Sequence, residues 1–325
     1  MSDYAMAVTA PGGPENFFRR ALTLPAPGPG QALVRHTAIG LNFIDVYHRT
    51  GLYPWKVARD LVPGSEAAGI VEAVGPGVAG LAPGDRVAYT EPLDAYATIR
   101  LLPADRLVKV PDGISDEAAA SLMLKGLTAQ YLIHSTFRVE SGQTVLVQAA
   151  AGGVGLILGQ WLAAKGVTAI GTAGGPEKTA LAAAHGYARV IDYRAESFAD
   201  RVREMTGGAG VHVVYDSVGR DTWQGSLACL RPHGTFVCFG QSSGTIEGFG
   251  MADLARGSLY ACRPVLFHYI ASAADLQARA ADLFAAVLSG EVRTEVHQRY
   301  PLDRVADAHR DLESRRTAGA TVLIP

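Results

Sequence analysis

From position 5 to about 110 the chain runs in short, largely apolar β-rich stretches: AMAVTA, QALVRHTAIG, GIVEAVG, DRVAYT and YATIR. Turn signals such as APGPGQ and APGD separate them, and this pattern predicts a mostly β domain of short strands. The period then changes. Over 115–138, SDEAAASLMLKGLTAQYLIHSTFR, apolar residues recur at helical spacing behind Ser115 and two acidic residues, which predicts a helix. Beyond Glu140 strands and helices alternate. TVLVQA, TAIGTA, RVIDY, VHVVYDSVG and TFVCFG read as strands, and GLILGQWLAAKG, PEKTALAAAHG and FADRVREMTGG read as helices. Such alternation predicts a doubly wound parallel sheet, so the fold class is α/β. From about 264 a helical stretch, AADLQARAADLFAAVLSG, leads through a strand and a further helix to the apolar run ATVLIP. No linker-like composition precedes that tail, so it is expected to return to the first domain. The expected division is 1–123, then a nucleotide-binding domain over 124–263, then 264–325 completing the first.

The uncharged run 144–164, TVLVQAAAGGVGLILGQWLAA, is long enough to span a bilayer. Gly152, Gly153 and Gly155 interrupt it where a strand would pass into a helix, so no membrane span is expected. The 29 basic and 31 acidic residues give a net charge of −2 with no long run of either sign. That balance argues against nucleic acid or an anionic membrane as a partner. The three cysteines, Cys229, Cys238 and Cys262, form no CxxC pair, and the first residues carry no basic-then-apolar secretory pattern. A reducing, cytoplasmic setting is expected.

The strongest chemical motif is AAAGGVG at 149–155, directly between a strand and a helix. Against GxGxxG it reads Ala150, Gly152, Gly155. Gly152 lets the backbone approach a pyrophosphate, Gly155 lets helix and strand pack closely, and the helix N-terminus offers N–H groups to the anion. The next strand ends GTAGG, placing Ala173 and Gly174 where an NAD enzyme carries an acid for the ribose hydroxyls. A 2′-phosphate would meet no carboxylate there. Lys178 and Tyr193 follow within reach of it, a combination that points to NADPH.

Near the amino end, VPGSEAAGIVEAVG at 62–75 looks like the front of a medium-chain alcohol dehydrogenase, in which a histidine that binds catalytic zinc stands where Ser65 stands here. The other two ligand positions hold Asn42 and Lys125 in place of cysteine. Zinc needs about three Cys, His or carboxylate ligands, so no catalytic metal is expected. Asp45 and Glu66 remain from that pattern and are expected to serve a structural polar network, with His48 in a surface or packing role.

AIGLNFIDVYHRTGLYP, VPGSEAAGIVEAVG, GDRVAY, LKGLTAQYL, AAAGGVGLI, VVYDSVGRDTW and FGQSSG together resemble the bacterial NADPH:quinone oxidoreductases, zinc-free relatives of zeta-crystallin among the medium-chain dehydrogenase/reductases. The resemblance covers essentially the whole chain. It implies a GroES-like β domain, a Rossmann domain, a cleft between them for cofactor and substrate, and a homodimer joined through its Rossmann sheets. It also implies cofactor contacts at Asn42, Thr128, Gly152, Gly153, Val154, Gly174, Lys178, Tyr193, Ser217, Phe239, Gly240, Gln241 and Arg315. One departure is that near relatives often carry asparagine where Gln241 stands.

Without zinc, alcohol oxidation lacks the group that lowers the hydroxyl's pKa. A quinone is already electron-poor, and needs only stacking on the nicotinamide and hydrogen-bond donors at its oxygens. Asn42, Tyr47 and Tyr53 are the candidates for that work. Reduction of an α,β-unsaturated carbonyl uses the same hydride geometry and stays open as an alternative. So does a structural or RNA-binding role of the kind found among zeta-crystallin relatives.

Overall fold

The structure, a computed structural model, describes residues 2–55 and 60–325. The chain packs into two units, one made of Met1–Leu127, Ile270–Leu288 and Thr294–Pro325, the other of Thr128–Tyr269 and Ser289–Arg293. The divisions fall a few residues beyond those drawn from sequence, and Ser289–Arg293 goes with the second unit.

The first unit opens with β1 (Tyr4–Ala7) and β2 (Phe18–Ala21), which pair antiparallel. Its main strands are β3 (Gln31–Gly40), then, after helix α1 (Phe43–Thr50), β4 (Glu66–Val74), β5 (Arg86–Thr90), β6 (Ile99–Pro103) and β7 (Val108–Lys109). In β3 the even-numbered residues from Ala32 to Ala38 point inward and the odd ones are half-buried, as its alternating sequence requires. Pairing of β3 with β4 slips twice along its length, and the glycine at 69 sits against the bulge: a Cβ there would stand 2.1 Å from the Arg35 carbonyl oxygen.

The 115–138 stretch is not the single helix that its periodicity suggests. It divides into α2 (Asp116–Ala120) and α3 (Met123–Tyr131), followed by a π-helical turn over Leu132–Thr136. Ser115 Oγ accepts from Ala118 N to start α2, and Ser121 Oγ donates back to the Ala118 carbonyl near its end. The new start at α3 frees backbone N–H groups, and the Leu124 N–H donates to Glu66 Oε2 at 2.6 Å. A carboxylate from β4, distant in sequence, thus caps α3 and stabilises the break.

The second unit carries β8 (Thr144–Val147), α4 (Gly153–Ala164), β9 (Thr168–Ala173), α5 (Pro176–Ala183), β10 (Arg189–Asp192), α6 (Phe198–Met205), β11 (Val211–Asp216), α7 (Trp223–Ala228), β12 (Leu230–Cys238), β13 (Tyr260–Cys262) and α8 (Leu266–Tyr269). The strands lie parallel in the order β10-β9-β8-β11-β12-β13. Counted from the first strand of this sheet the order is 3-2-1-4-5-6, the Rossmann arrangement, with its switch point between β8 and β11. The apolar run 144–164 is therefore a buried strand and a 12-residue buried helix. No helix among the described residues is long and apolar enough to cross a membrane.

The tail supplies α9 (Ala273–Leu288), β14 (Val296–Pro301), α10 (Val305–Glu313) and β15 (Ala320–Ile324). The ATVLIP run returns to the first unit, where β15 pairs antiparallel with β3, Val322 opposite Gly40. Val34, Ile39, Val71, Tyr89, Leu302 and Leu323 meet in one buried core there.

Candidate functional site

In the second unit the candidate cofactor residues other than Thr128 follow the carboxyl ends of the parallel strands, where Rossmann sheets bind their ligands. After β8 the chain turns through Ala149, which takes a left-handed φ of +56°. The strained position is thus one residue before Ala150, which the motif aligns with the first glycine. Ala150 itself is fully buried and donates from its N–H to the Thr172 carbonyl at 2.8 Å. Its methyl is accommodated because residue 171 is glycine: a Cβ there would stand 2.6 Å from Ala150 Cβ.

Gly152 and Gly155 differ as the motif requires. A Cβ on Gly155 would stand 2.5 Å from the Ala149 oxygen and 2.6 Å from the Ala150 oxygen, so this glycine permits the contact of helix with loop. At Gly152 only the Ala149 oxygen lies near, at 3.2 Å, which leaves the loop face open beside the start of α4. The first-turn N–H groups of Gly153 and Val154 precede any intrahelical partner and are available to an anion. This cradle fits the pyrophosphate of a dinucleotide.

At the end of β9, Ala173, Gly174 and Gly175 are buried, and Lys178 is half-buried in the first turn of α5. Tyr193, just past β10, is 41% exposed, with its hydroxyl over Gly174. Asp192, at the end of β10, has one carboxylate oxygen occupied by the backbone. Its Oδ1 accepts from Gly175 N at 2.9 Å and Arg194 N at 3.0 Å, bonds that hold its carboxyl below the usual range.

Across the switch point, Asp216 is buried at the end of β11 and braces the loop that carries Ser217. Its Oδ1 accepts from Val218 N and Gly219 N, and its Oδ2 from the hydroxyls of Thr222 and Ser226. Those hydroxyls fix α7, an element that the alternation pattern did not announce. Phe239, Gly240 and Gln241 follow β12, and the Phe239 N–H donates to the Asp216 carbonyl at 2.8 Å. A Cβ on Gly240 would stand 2.7 Å from the Ser217 oxygen, so the two loops touch. Thr128 is buried within α3.

In the first unit Asn42 immediately precedes α1, and Tyr47 is buried on that helix. The Tyr47 and Tyr53 rings pack with centroids 5.3 Å apart, and Tyr53 N donates to the Tyr47 carbonyl. His48 meets the Tyr53 ring edge-on at 5.5 Å, and burial pushes its pKa down to about 4, so it packs as a neutral ring. Arg315 lies just past α10 with a left-handed φ of +60° and an exposed side chain.

The three positions that hold zinc ligands in the alcohol dehydrogenase pattern are joined here through two acids. Glu66, fully buried, takes the Lys125 ammonium at 2.6 Å and the Asn42 amide Nδ2 at 2.9 Å on one oxygen, and Leu124 N on the other. Asp45, also fully buried, has Ser65 Oγ 2.9 Å from its Oδ1, while Oδ2 accepts from Asn42 N and Tyr96 Oη, both at 2.9 Å. Among the described residues no three His, Cys, Asp or Glu side chains stand together as a metal site.

Sequence reading reached Asp45, Glu66 and Lys125 but missed Tyr96 and His309. His309 Nε2 lies 3.0 Å from Tyr96 Oη. Burial pushes Asp45 up to about 7, against the bonds from Tyr96, Ser65 and the Asn42 backbone, and drives His309 well below its ordinary value, helped by Arg49. A neutral network satisfies these contacts. Ser65 Oγ donates to Asp45 Oδ1 while the acid is ionised, and on protonation it can accept from Asp45 and donate to the Pro92 carbonyl at 3.1 Å instead; Tyr96 donates to Asp45 Oδ2, which leaves His309 Nε2 to donate to Tyr96.

Because the folded pKa of Asp45 is raised, the stability it contributes is complete below about pH 4 and is lost as pH rises to about 7. The loss runs at about 1.4 kcal/mol per unit for a fully linked proton. An asparagine at 45 keeps the neutral pattern, its amide donating to Ser65 in place of the acid. Asp45→Asn is therefore expected to gain stability relative to wild type between pH 5 and pH 8, measured by denaturant unfolding at both. A gap that shrinks as pH rises would contradict the neutral network.

A family model described as an alcohol dehydrogenase GroES-like domain matches residues 28–112, and one described as a zinc-binding dehydrogenase matches residues 185–323. A quinone oxidoreductase of Pseudomonas aeruginosa is 50% identical over 316 residues, 97% of each chain. A 2-haloacrylate reductase of a Burkholderia species is 44% identical over 328 residues, covering 99% of this chain and 98% of its own. The solved structure of an Escherichia coli quinone oxidoreductase complexed with NADPH superposes with a TM-score of 0.96 at 43% identity, covering 99% of this chain and 100% of that one.

Proposed function

The chain belongs to the quinone oxidoreductase family, and on that premise we propose that it reduces quinones with NADPH and without a metal. The observation that carries the cofactor choice is the turn after β9, where Ala173 and Gly174 leave no carboxylate on the strand end and Tyr193 overhangs the glycine. The P. aeruginosa and E. coli relatives named as quinone oxidoreductases support the substrate class.

When bound, NADPH supplies the hydride. The residues of this chain have the tasks of binding and orientation. Gly152, Gly153 and Val154 would hold the pyrophosphate, Gly174, Lys178 and Tyr193 would hold the 2′-phosphate, and Gln241 would reach the nicotinamide end, with Thr128, Ser217, Phe239, Gly240 and Arg315 as further cofactor contacts. Asn42 and Tyr53 donate to the acceptor's oxygens as charge develops there, and Tyr47 lines its site. Asn42 has a donor to spare, since only one of its two amide hydrogens is needed by Glu66. The reduced quinone is a delocalised oxyanion that takes its proton from solvent, so no side chain need act as general acid.

The chemistry at the three ligand positions supports metal independence. An ammonium offers no lone pair to zinc, and the amide and hydroxyl are poor ligands already bound to carboxylates. A cytoplasmic homodimer fits this reading. The cysteines are all free, and β13 forms a sheet edge with Tyr260 62% exposed.

The second reading, reduction of an activated carbon–carbon double bond, is favoured by the 44% identity to the haloacrylate reductase. Anaerobic NADPH oxidation with 1,4-naphthoquinone and with a short enone, offered separately, separates the two. Turnover with the quinone is the expected result. Turnover with the enone alone would move the substrate class and leave the cofactor reading intact.

A further inference from the structure

We propose that Arg194 is a third determinant of cofactor choice, its guanidinium binding the 2′-phosphate beside Lys178 and Tyr193. The inference rests on the NADPH reading above and adds to it a residue that neither the glycine motif nor the family resemblance singled out.

The geometry begins with the turn after β9. A Cβ built on Gly174 would stand 2.5 Å from Tyr193 Oη and 3.0 Å from Arg194 Nε, and one on Gly175 would stand 3.4 Å from Arg194 Nη1. The phenol and the guanidinium therefore lie side by side over the two glycines, at the strand end where an NAD enzyme has its ribose-binding acid. Gly175 has a φ of +89° and leads directly into Pro176, the first residue of α5. The first-turn N–H groups of that helix, and Lys178 with them, add positive potential at the same end.

Asp192 holds the arrangement. By accepting from both Gly175 N and Arg194 N it ties the turn after β9 to the turn after β10. The Arg194 backbone is thereby fixed beside the glycines while its side chain stays exposed. Asp192 stays ionised, and its Oδ1 is engaged by these two N–H groups. A guanidinium offers a planar fork of donors matched to phosphate oxygens, and a phosphate–arginine bond is stronger than a neutral one. Bulk exposure weakens such a bond and makes it salt-dependent. An effect near tenfold is the reasonable expectation for one such group.

The test is calorimetric titration of adenosine 2′,5′-bisphosphate and of 5′-AMP into wild type, Arg194→Gln and Arg194→Lys. Wild type is expected to favour the bisphosphate. Arg194→Gln is expected to lose about tenfold in bisphosphate affinity while AMP changes less than about twofold, with Arg194→Lys in between. Retention of wild-type bisphosphate affinity in Arg194→Gln, or an equal loss for both nucleotides, would overturn the role of Arg194 and leave the NADPH reading standing. A wild type that binds the two equally would overturn both.

Discussion

Lys125→Met is expected to destabilise the protein by about 3–5 kcal/mol, the usual consequence of stranding one partner of a buried ion pair. Lys125 and Glu66 are 6% and 0% exposed at the side chain, so water screens neither. With the ammonium gone, Glu66 keeps the Asn42 amide and Leu124 N as its donors among the described residues. Quinone turnover should fall too, because the Asn42 amide is held through the same carboxylate oxygen. Lys125→Met combined with Glu66→Gln removes both charges and should recover much of the stability, since a neutral amide still accepts from Leu124 N. Denaturant unfolding of the single and double variants is the measurement. A single variant within about 1 kcal/mol of wild type would show that the pair contributes no more than an exposed one.

The second large effect concerns the cofactor. Lys178→Ala is expected to raise the KM for NADPH by about tenfold or more and to leave that for NADH within about twofold, because only NADPH carries the 2′-phosphate. The kcat with either cofactor should change little, since the phosphate is remote from the transferred hydride and contributes equally to ground and transition states. Steady-state kinetics with saturating quinone measure it. Parallel changes for the two cofactors would place Lys178 in the helix surface and out of the binding site.

Much of this architecture was legible locally. The glycine loop, the strand on either side of it and the acid-free end of β9 are contiguous stretches whose periodicity and spacing announce them. The polar network was not. Asp45, Ser65, Tyr96 and His309 meet across 264 positions at the widest, Asp45 to His309 through Tyr96, and no local pattern marks a tyrosine or histidine as its member. The break between α2 and α3 failed for the same reason. A helix of good periodicity was interrupted by a carboxylate 58 residues earlier in the chain. Arg194 stood next to a residue that was recognised, yet only the fold shows which glycines its side chain covers. The substitution at the first motif glycine became intelligible once Gly171 was seen opposite Ala150.

Hydride transfer to a quinone proceeds in this fold with Asn42, Ser65 and Lys125 bound to Asp45 and Glu66 at the former ligand positions. Its most direct test is turnover of NADPH with 1,4-naphthoquinone, under anaerobic conditions, by protein dialysed against EDTA and assayed for zinc content. Full activity with no zinc remaining, unchanged when zinc is added back, is the result expected. Activity that disappears on dialysis and returns with zinc would contradict the account.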